Sequence, residues 1–310
     1  MLINTFLLDV TMDALVNSVP FSSDIWYYLI IDILIAICLL FALRLMSGKM
    51  VSVSATDELT AQDNFAFGIS VAGRMLSLCI VLAAAAASSE KSDYVVAALS
   101  MLLFGLVGIL LIKIGRILHD KIILHRLDKE ALIRQRNTSI ALVDAASSVS
   151  TAIIISSVMT WVNGFDAHAL FAIFSGFIVT QAILLTATRI YERRYKDNNH
   201  SGTFQQSLTK GQMALALQHS GNLLGTAIVV AAASRLLNYN PVGYVSNLTG
   251  WLIVGMALTL LLVVLVIIAK RIVLAGLNVR QEVDQQHNVG VASIELVLSV
   301  GIALIVSGLF

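Results

Sequence analysis

Apolar residues in this chain come in long unbroken runs rather than in the three-and-four rhythm of a water-facing helix or the alternation of a half-buried strand. Eight runs reach the length at which a helix, rising about 1.5 Å per residue, crosses roughly 30 Å of hydrocarbon. They cover approximately 26–45, 64–87, 94–118, 140–162, 169–190, 212–233, 248–268 and 289–309. The pattern predicts an all-α polytopic membrane protein with eight transmembrane helices. Ahead of them, Met1, Ile3, Phe6, Leu7, Val10 and Ala14 recur at helical spacing. This 1–24 segment reads either as an amphipathic helix at the outer interface or as a frayed terminus; without Lys or Arg, it lacks the basic start of a signal peptide.

Composition agrees. Of 310 residues, 58% are apolar and 13% charged, with a mean hydropathy of +0.87. A soluble domain carries about 25% charged residues, so this chain has too few to clothe a water-facing surface. Its net charge of +1 gives no field for nucleic acid. No GxxxxGK[ST], HExxH or GxSxG motif occurs, and Cys38 and Cys79 lie inside apolar runs without a CxxC or Cys/His cluster. Neither catalysis, a cofactor nor a metal is expected.

The charges that remain are sorted by position. Seventeen of the 20 Lys and Arg fall in the connections after spans 1, 3, 5 and 7, whereas the opposite connections hold only Lys91 and Arg235. Because basic residues stay on the cytoplasmic side, both termini are expected outside it. The longest basic connection, 113–136, keeps apolar spacing through Ile114, Ile117, Leu118, Ile122 and Leu127. It reads as an extension of span 3 lying on anionic headgroups, or as a docking helix for a cytosolic partner.

The chain also repeats itself. A shift of 148 residues lays 64–85 on 212–233 with 8 of 22 positions identical; a shift of 151 lays 137–157 on 288–308 with 7 of 21 identical, pairing Asn137 with Asn288 and Asp144 with Glu295. Four spans per copy return the chain to the same side. The two units, 25–163 and 164–310, are therefore expected to be parallel repeats related by a pseudo-twofold along the membrane normal. Within them, Ser220-Gly221-Asn222-Leu223-Leu224-Gly225 and the Asn-initiated, acid-bearing fourth span resemble the YjfL-type family of small bacterial inner-membrane proteins. Ala72-Gly73-Arg74-Met75-Leu76-Ser77 departs from that pattern at several positions. The resemblance implies two tandem units in a bacterial inner membrane and brings no assigned function.

Charges at membrane depth are costly and therefore paired or functional. Arg74, Asp144, His219 and Glu295 lie inside spans 2, 4, 6 and 8, and Asp32 inside span 1. Arg74–Asp144 is expected to form a structural lock. Glu295, with no basic residue in its own repeat's second span, is expected to face His219 or Asn222 and line a proton or cation pathway with them. Ser148 and Ser299 follow the two acids one turn on, completing the candidate lining. Gly73 with Ser77, and Gly221 with Gly225, are small-residue pairs that should let spans 2 and 4 of each unit pack closely. Spans 1, 3, 5 and 7 carry the bulkier runs and should face lipid more.

Two functions remain open on the sequence. One is a carrier or channel for protons, cations or a small cationic solute; the other is a non-transporting scaffold or stress-response partner that organises lipids or recruits a cytosolic protein through the basic loops. A hydrated cavity reaching Asp144 or Glu295 favours the first, and sealed carboxylates the second. Small-residue faces are compatible with a homodimer.

Overall fold

The computed structural model describes residues 24–50, 54–88, 93–162, 166–198 and 202–310. The proposed outer segment lies outside the described residues except for its last position. The spans are α1 (Ile25–Met50), α3 (Phe65–Ser88), α4 (Tyr94–Ile122), α6 (Thr138–Trp161), α7 (Ala167–Asn198), α9 (Met213–Ala232), α10 (Tyr244–Val273) and α11 (Val289–Gly308). All eight are long and apolar enough to cross a membrane. Short helices α2 (Ala55–Thr60), α5 (Lys129–Arg134) and α8 (Phe204–Thr209), and a π-turn at Gln281–Gln285, precede the even-numbered spans. No strand occurs among the described residues.

The even spans begin alike. A residue with positive φ comes first: Asp63 (47°), Arg136 (66°), Gly211 (80°) and His287 (56°). An amide residue follows: Asn64, Asn137, Gln212 and Asn288. Asn64, Asn137 and Asn288 cap their helices, their side-chain oxygens accepting from Phe67, Ile140 and Val291 N–H at 3.1, 3.0 and 3.1 Å. Such caps satisfy backbone donors that the first turn cannot pair internally. The reversal from short helix to span needs the left-handed backbone, which glycine adopts freely at Gly211 and the other three residues adopt at some cost.

The same amides tie each even span to the next. Asn64 Nδ2 donates to the Ile133 and Arg134 carbonyls at the end of α5, at 3.1 and 3.4 Å. Asn137 Nδ2 donates to Leu208 and Thr209 at the end of α8, at 3.1 and 3.0 Å. Gln212 Nε2 donates to Val283 and Asp284 in the π-turn, at 3.2 and 3.5 Å. The even spans thus stand in a row, α3 on α6, α6 on α9, α9 on α11, with α1 and α4 flanking the first unit and α7 and α10 the second.

Close packing within each unit rests on glycine. A Cβ on Gly73 would lie 2.5 Å from the Ala145 backbone, and one on Gly221 2.6 Å from that of Leu296. Gly73 and Gly221 both stand nine residues beyond their caps, and Ala145 and Leu296 both eight beyond theirs. The two units therefore share one parallel register, and spans 2 and 4 pack as the small-residue motif predicts. The expectation that odd spans face lipid more needs correction at one helix. α1 and α10 are the most exposed, but α11, an even span, is more exposed than the odd α4 and α7. Ending the row leaves one side of α11 without a neighbour.

Candidate functional site

Asp144 and Glu295 each stand seven residues beyond a capping Asn, about 10 Å up the helix. Both are buried. The seam that Gly73 closes brings α3 against Asp144: Ser70 Oγ donates to Asp144 Oδ2 at 2.5 Å, and Arg74 Nη2 lies 3.5 Å from the same oxygen. The predicted Arg74–Asp144 contact is present, but it is the loosest of three ion pairs. Arg116 from α4 donates through Nε and Nη2 to Asp144 Oδ1 at 3.1 and 2.9 Å. Lys129 from α5 reaches that oxygen at 2.7 Å and Asp120 at 2.5 Å. Ser148 Oγ donates to the Asp144 backbone carbonyl.

This geometry corrects the reading of the 113–136 connection at two of its seven basic residues, the other five being exposed. α4 does continue past Leu118, but Arg116 and Lys129 turn inward onto Asp144 and are buried rather than lying on headgroups. A carboxylate without enough charge of opposite sign on its own helices draws cations from the nearest element end, because desolvation leaves an unpaired charge far more costly than a hydrogen-bonded pair.

The second unit builds the counterpart with fewer parts. Gln218, aligned with Ser70 by the 148-residue shift, donates to Glu295 Oε2 at 2.7 Å. Lys270, at the basic end of α10, forms an ion pair with Glu295 Oε1. The expectation that Glu295 lacks a cation and faces His219 or Asn222 is therefore wrong, since its cation comes from the neighbouring odd span. His219 instead packs its ring 4.7 Å from Phe204 and 5.8 Å from His119, on the side of α9 toward the first unit. Asn222 is half-buried and takes the place of Arg74 in the alignment. Ser299 is buried beneath Gly225, where a Cβ would lie 2.8 Å from the Ser299 carbonyl. Ser77 bonds its own helix at the Gly73 carbonyl. Of the predicted lining, only Arg74, Asp144 and Ser148 share one cluster.

Sequence reasoning missed Ser70, Gln218, Arg116, Lys129 and Lys270 as partners. The first two carried a signal, for they occupy aligned positions one residue before Val71 and His219 in the second span of each unit. The bases were visible only as members of the basic loops.

Two cavities at the basic end are lined by neither acid. One of about 330 Å³ is lined by Asp120, Lys129 and Glu130 among others, but not by Asp144. A second, of about 250 Å³, brings together Arg126, Arg189, Arg193 and Lys196, with Glu192 and Gln205. Among the described residues, no group of His, Cys, Asp and Glu has a metal-binding arrangement.

A family model described as Domain of Unknown Function (DUF350) matches the chain twice, over residues 15–159 and 164–310. No curated protein and no solved structure matches it.

Proposed function

This chain belongs to the DUF350 family, a Domain of Unknown Function present here in tandem, and we propose that it serves as a non-transporting membrane scaffold whose basic face holds a cytosolic partner or anionic lipid headgroups. That it is an integral membrane protein follows from its eight apolar helices. One observation carries the proposal: both intramembrane carboxylates are buried and held by cations and hydrogen-bond donors of the same chain. A carrier must expose such a group to its solute from one side and then the other. Here Asp144 would first have to give up Arg116, Lys129 and Ser70 together, each exchange leaving a charge unpaired in a low-dielectric interior.

On this reading the units are of the YjfL type, the membrane is the bacterial inner membrane, and the basic side with its four caps faces the cytoplasm. The cleft formed by Arg126, Arg189, Arg193 and Lys196 is where an acidic peptide or a phosphate-bearing headgroup would be held. No catalytic chemistry belongs to the proposal.

A proton pathway is the second reading, and one contact favours it. Lys129 bridges Asp144 to Asp120, and Asp120 is one-third exposed beside the 330 Å³ cavity. Proteoliposomes loaded with a pH-sensitive dye decide between them. The scaffold reading expects proton and cation leak no faster than in protein-free vesicles. Protein-dependent flux that Asp120→Asn or Glu295→Gln abolishes would overturn it.

A further inference from the structure

The row of even spans is a repeating structure with two unfinished ends. Each step uses one relation: a cap amide of one span donates to the carbonyls ending the short element before the next, and the two spans pack together. Three steps are made within the chain, α3 to α6, α6 to α9 and α9 to α11. At the far end Asn288 caps α11 and its Nδ2 donates to Glu282 Oε2 at 2.8 Å, as Asn64 Nδ2 does to Glu58 at the same distance. Asn64, however, also donates onward to Ile133 and Arg134, and Asn288 meets no such carbonyls among the described residues. At the near end, no cap amide donates to the Leu59 and Thr60 carbonyls ending α2 among the described residues.

The packing faces show the same incompleteness. Shifting α6 onto α11 by 151 residues pairs buried positions with exposed ones along a single stripe at i, i+3 and i+11: Val143 with Ile294, Ala146 with Val297 and Ile154 with Ile305. Val143 and Ile154 are both 0% exposed, whereas Ile294, Val297 and Ile305 are 43%, 63% and 68% exposed. α6 has α9 as a neighbour that α11 lacks, and Ala146 and Ile154 share one buried apolar cluster with Leu223 and Ala227 of α9, as Val143 does another with Leu215 and Ala216. Shifting α9 onto α3 by 148 residues does the same for the other side, since buried Ala216, Ser220 and Ala227 become Gly68, Ala72 and Cys79, all more open to the surroundings. The free stripe of α11 carries the branched Ile294, Val297 and Ile305, and that of α3 carries Gly68, Ala72 and Cys79 with the larger Phe65 and Leu76 on the same face; small residues on one of two facing helices let backbones approach in a membrane.

We propose that copies of this chain join head to tail, with α11 of one copy seated on α3 of the next as α6 is seated on α9, and with Asn288 donating to the Leu59 and Thr60 carbonyls of the neighbour. The occupant is a second copy because that surface already exists in the molecule as its own interior seam, in the same parallel orientation. A head-to-tail contact is heterologous: it closes into a ring or runs on as a filament, and unlike a face-to-face dimer it leaves one free end of each kind until a ring closes. It does not depend on whether anything is transported, so vesicle flux and this association succeed or fail separately.

Cysteine cross-linking of the full chain in membranes tests it. In a Cys38→Ala, Cys79→Ala background, Ala72→Cys and Val297→Cys take the positions equivalent to Ser220 and Ala146 across the internal seam. Oxidation should give a ladder of dimers, trimers and larger species when both substitutions are present, and monomer when either stands alone. Ala146→Cys with Ser220→Cys should close within one chain, showing that the reaction proceeds at that depth. Asn288→Ser keeps an oxygen to cap Val291 but removes the amide donor, and should cut the ladder about 2- to 10-fold, the equivalent of one hydrogen bond. Monomer from the double variant overturns the proposal. So do cross-links from Val297→Cys alone, which would place α11 against α11, and a ladder that Asn288→Ser leaves unchanged.

Discussion

Asp144 and Glu295 occupy the same place in two copies of one fold, and they are held very differently. Asp144 sits in the middle of the row, between α3, α4 and α5, and touches three cations and a hydroxyl. Glu295 sits on the last helix and has one cation and one amide, with the Lys270 side chain still 22% exposed. Shared position fixes the need for a partner; the number of partners depends on how many elements surround the acid. The first unit has a neighbour beyond its fourth span and the second has none within the chain, so the inner acid is a multi-element tie and the outer one a single strut.

The largest expected effect comes from removing the inner acid. Asp144→Asn leaves Arg74, Arg116 and Lys129 in a buried cluster with Asp120 as the remaining direct carboxylate partner. Removing one member of a buried charge network costs about 3–5 kcal/mol, a large share of a domain's stability. The variant should accumulate poorly and lose its monodisperse peak in detergent at a temperature well below that of the parent. A peak as heat-stable as the parent's would show that the three cations are not held by Asp144.

Next in size is the seam that places each acid. Gly73→Val and Gly221→Val both put a Cβ within about 2.6 Å of backbone that cannot rotate away. Overpacking of this kind costs about 1–3 kcal/mol. The two should differ. α6 is fixed on its far side by α9, so the strain at Gly73 has nowhere to go, whereas α11 ends the row and can move outward. Heat-induced aggregation in detergent should therefore shift further for Gly73→Val; equal shifts would mean α11 is held as firmly as α6.

How much of this was visible in the sequence follows from the distance over which each feature is encoded. Span number, the two units and the Gly73 and Gly221 seams were legible, because a run of 20 apolar residues or a small residue at helical spacing is local. The shared capping Asn and the paired acids were legible as a repeat. What fills the site was not. Lys129 lies 15 residues before Asp144 in a loop that reads as basic surface, and only the fold of α5 back under α6 buries it. Lys270 and Glu295 meet because α10 leans on α11, which no spacing announces. His219 shows the converse error: its place seven residues beyond a cap matches that of the acids, yet its ring faces the first unit rather than Glu295. Spacing from a cap sets a residue's position along its helix, whereas the side it faces depends on which helices pack around it.

The smallest effect is expected at the outer acid, and it bears most directly on the comparison. Glu295→Gln keeps an acceptor for Gln218 and changes little in volume. It leaves Lys270 without its carboxylate, but that ammonium is at the end of a long flexible stem at the basic end of α10 and can swing into water. The charge then need not stay buried, so the loss should resemble that of an exposed pair, about 1 kcal/mol or less. Detergent melting should barely distinguish this variant from the parent, in contrast with Asp144→Asn. A loss as large as that of Asp144→Asn would mean that Lys270 cannot withdraw, and that the end of the row is enclosed as tightly as its centre. In membranes a neighbouring copy on α11 would provide such enclosure, so Glu295→Gln should cost more in cross-linked assemblies than in monomers dispersed in detergent.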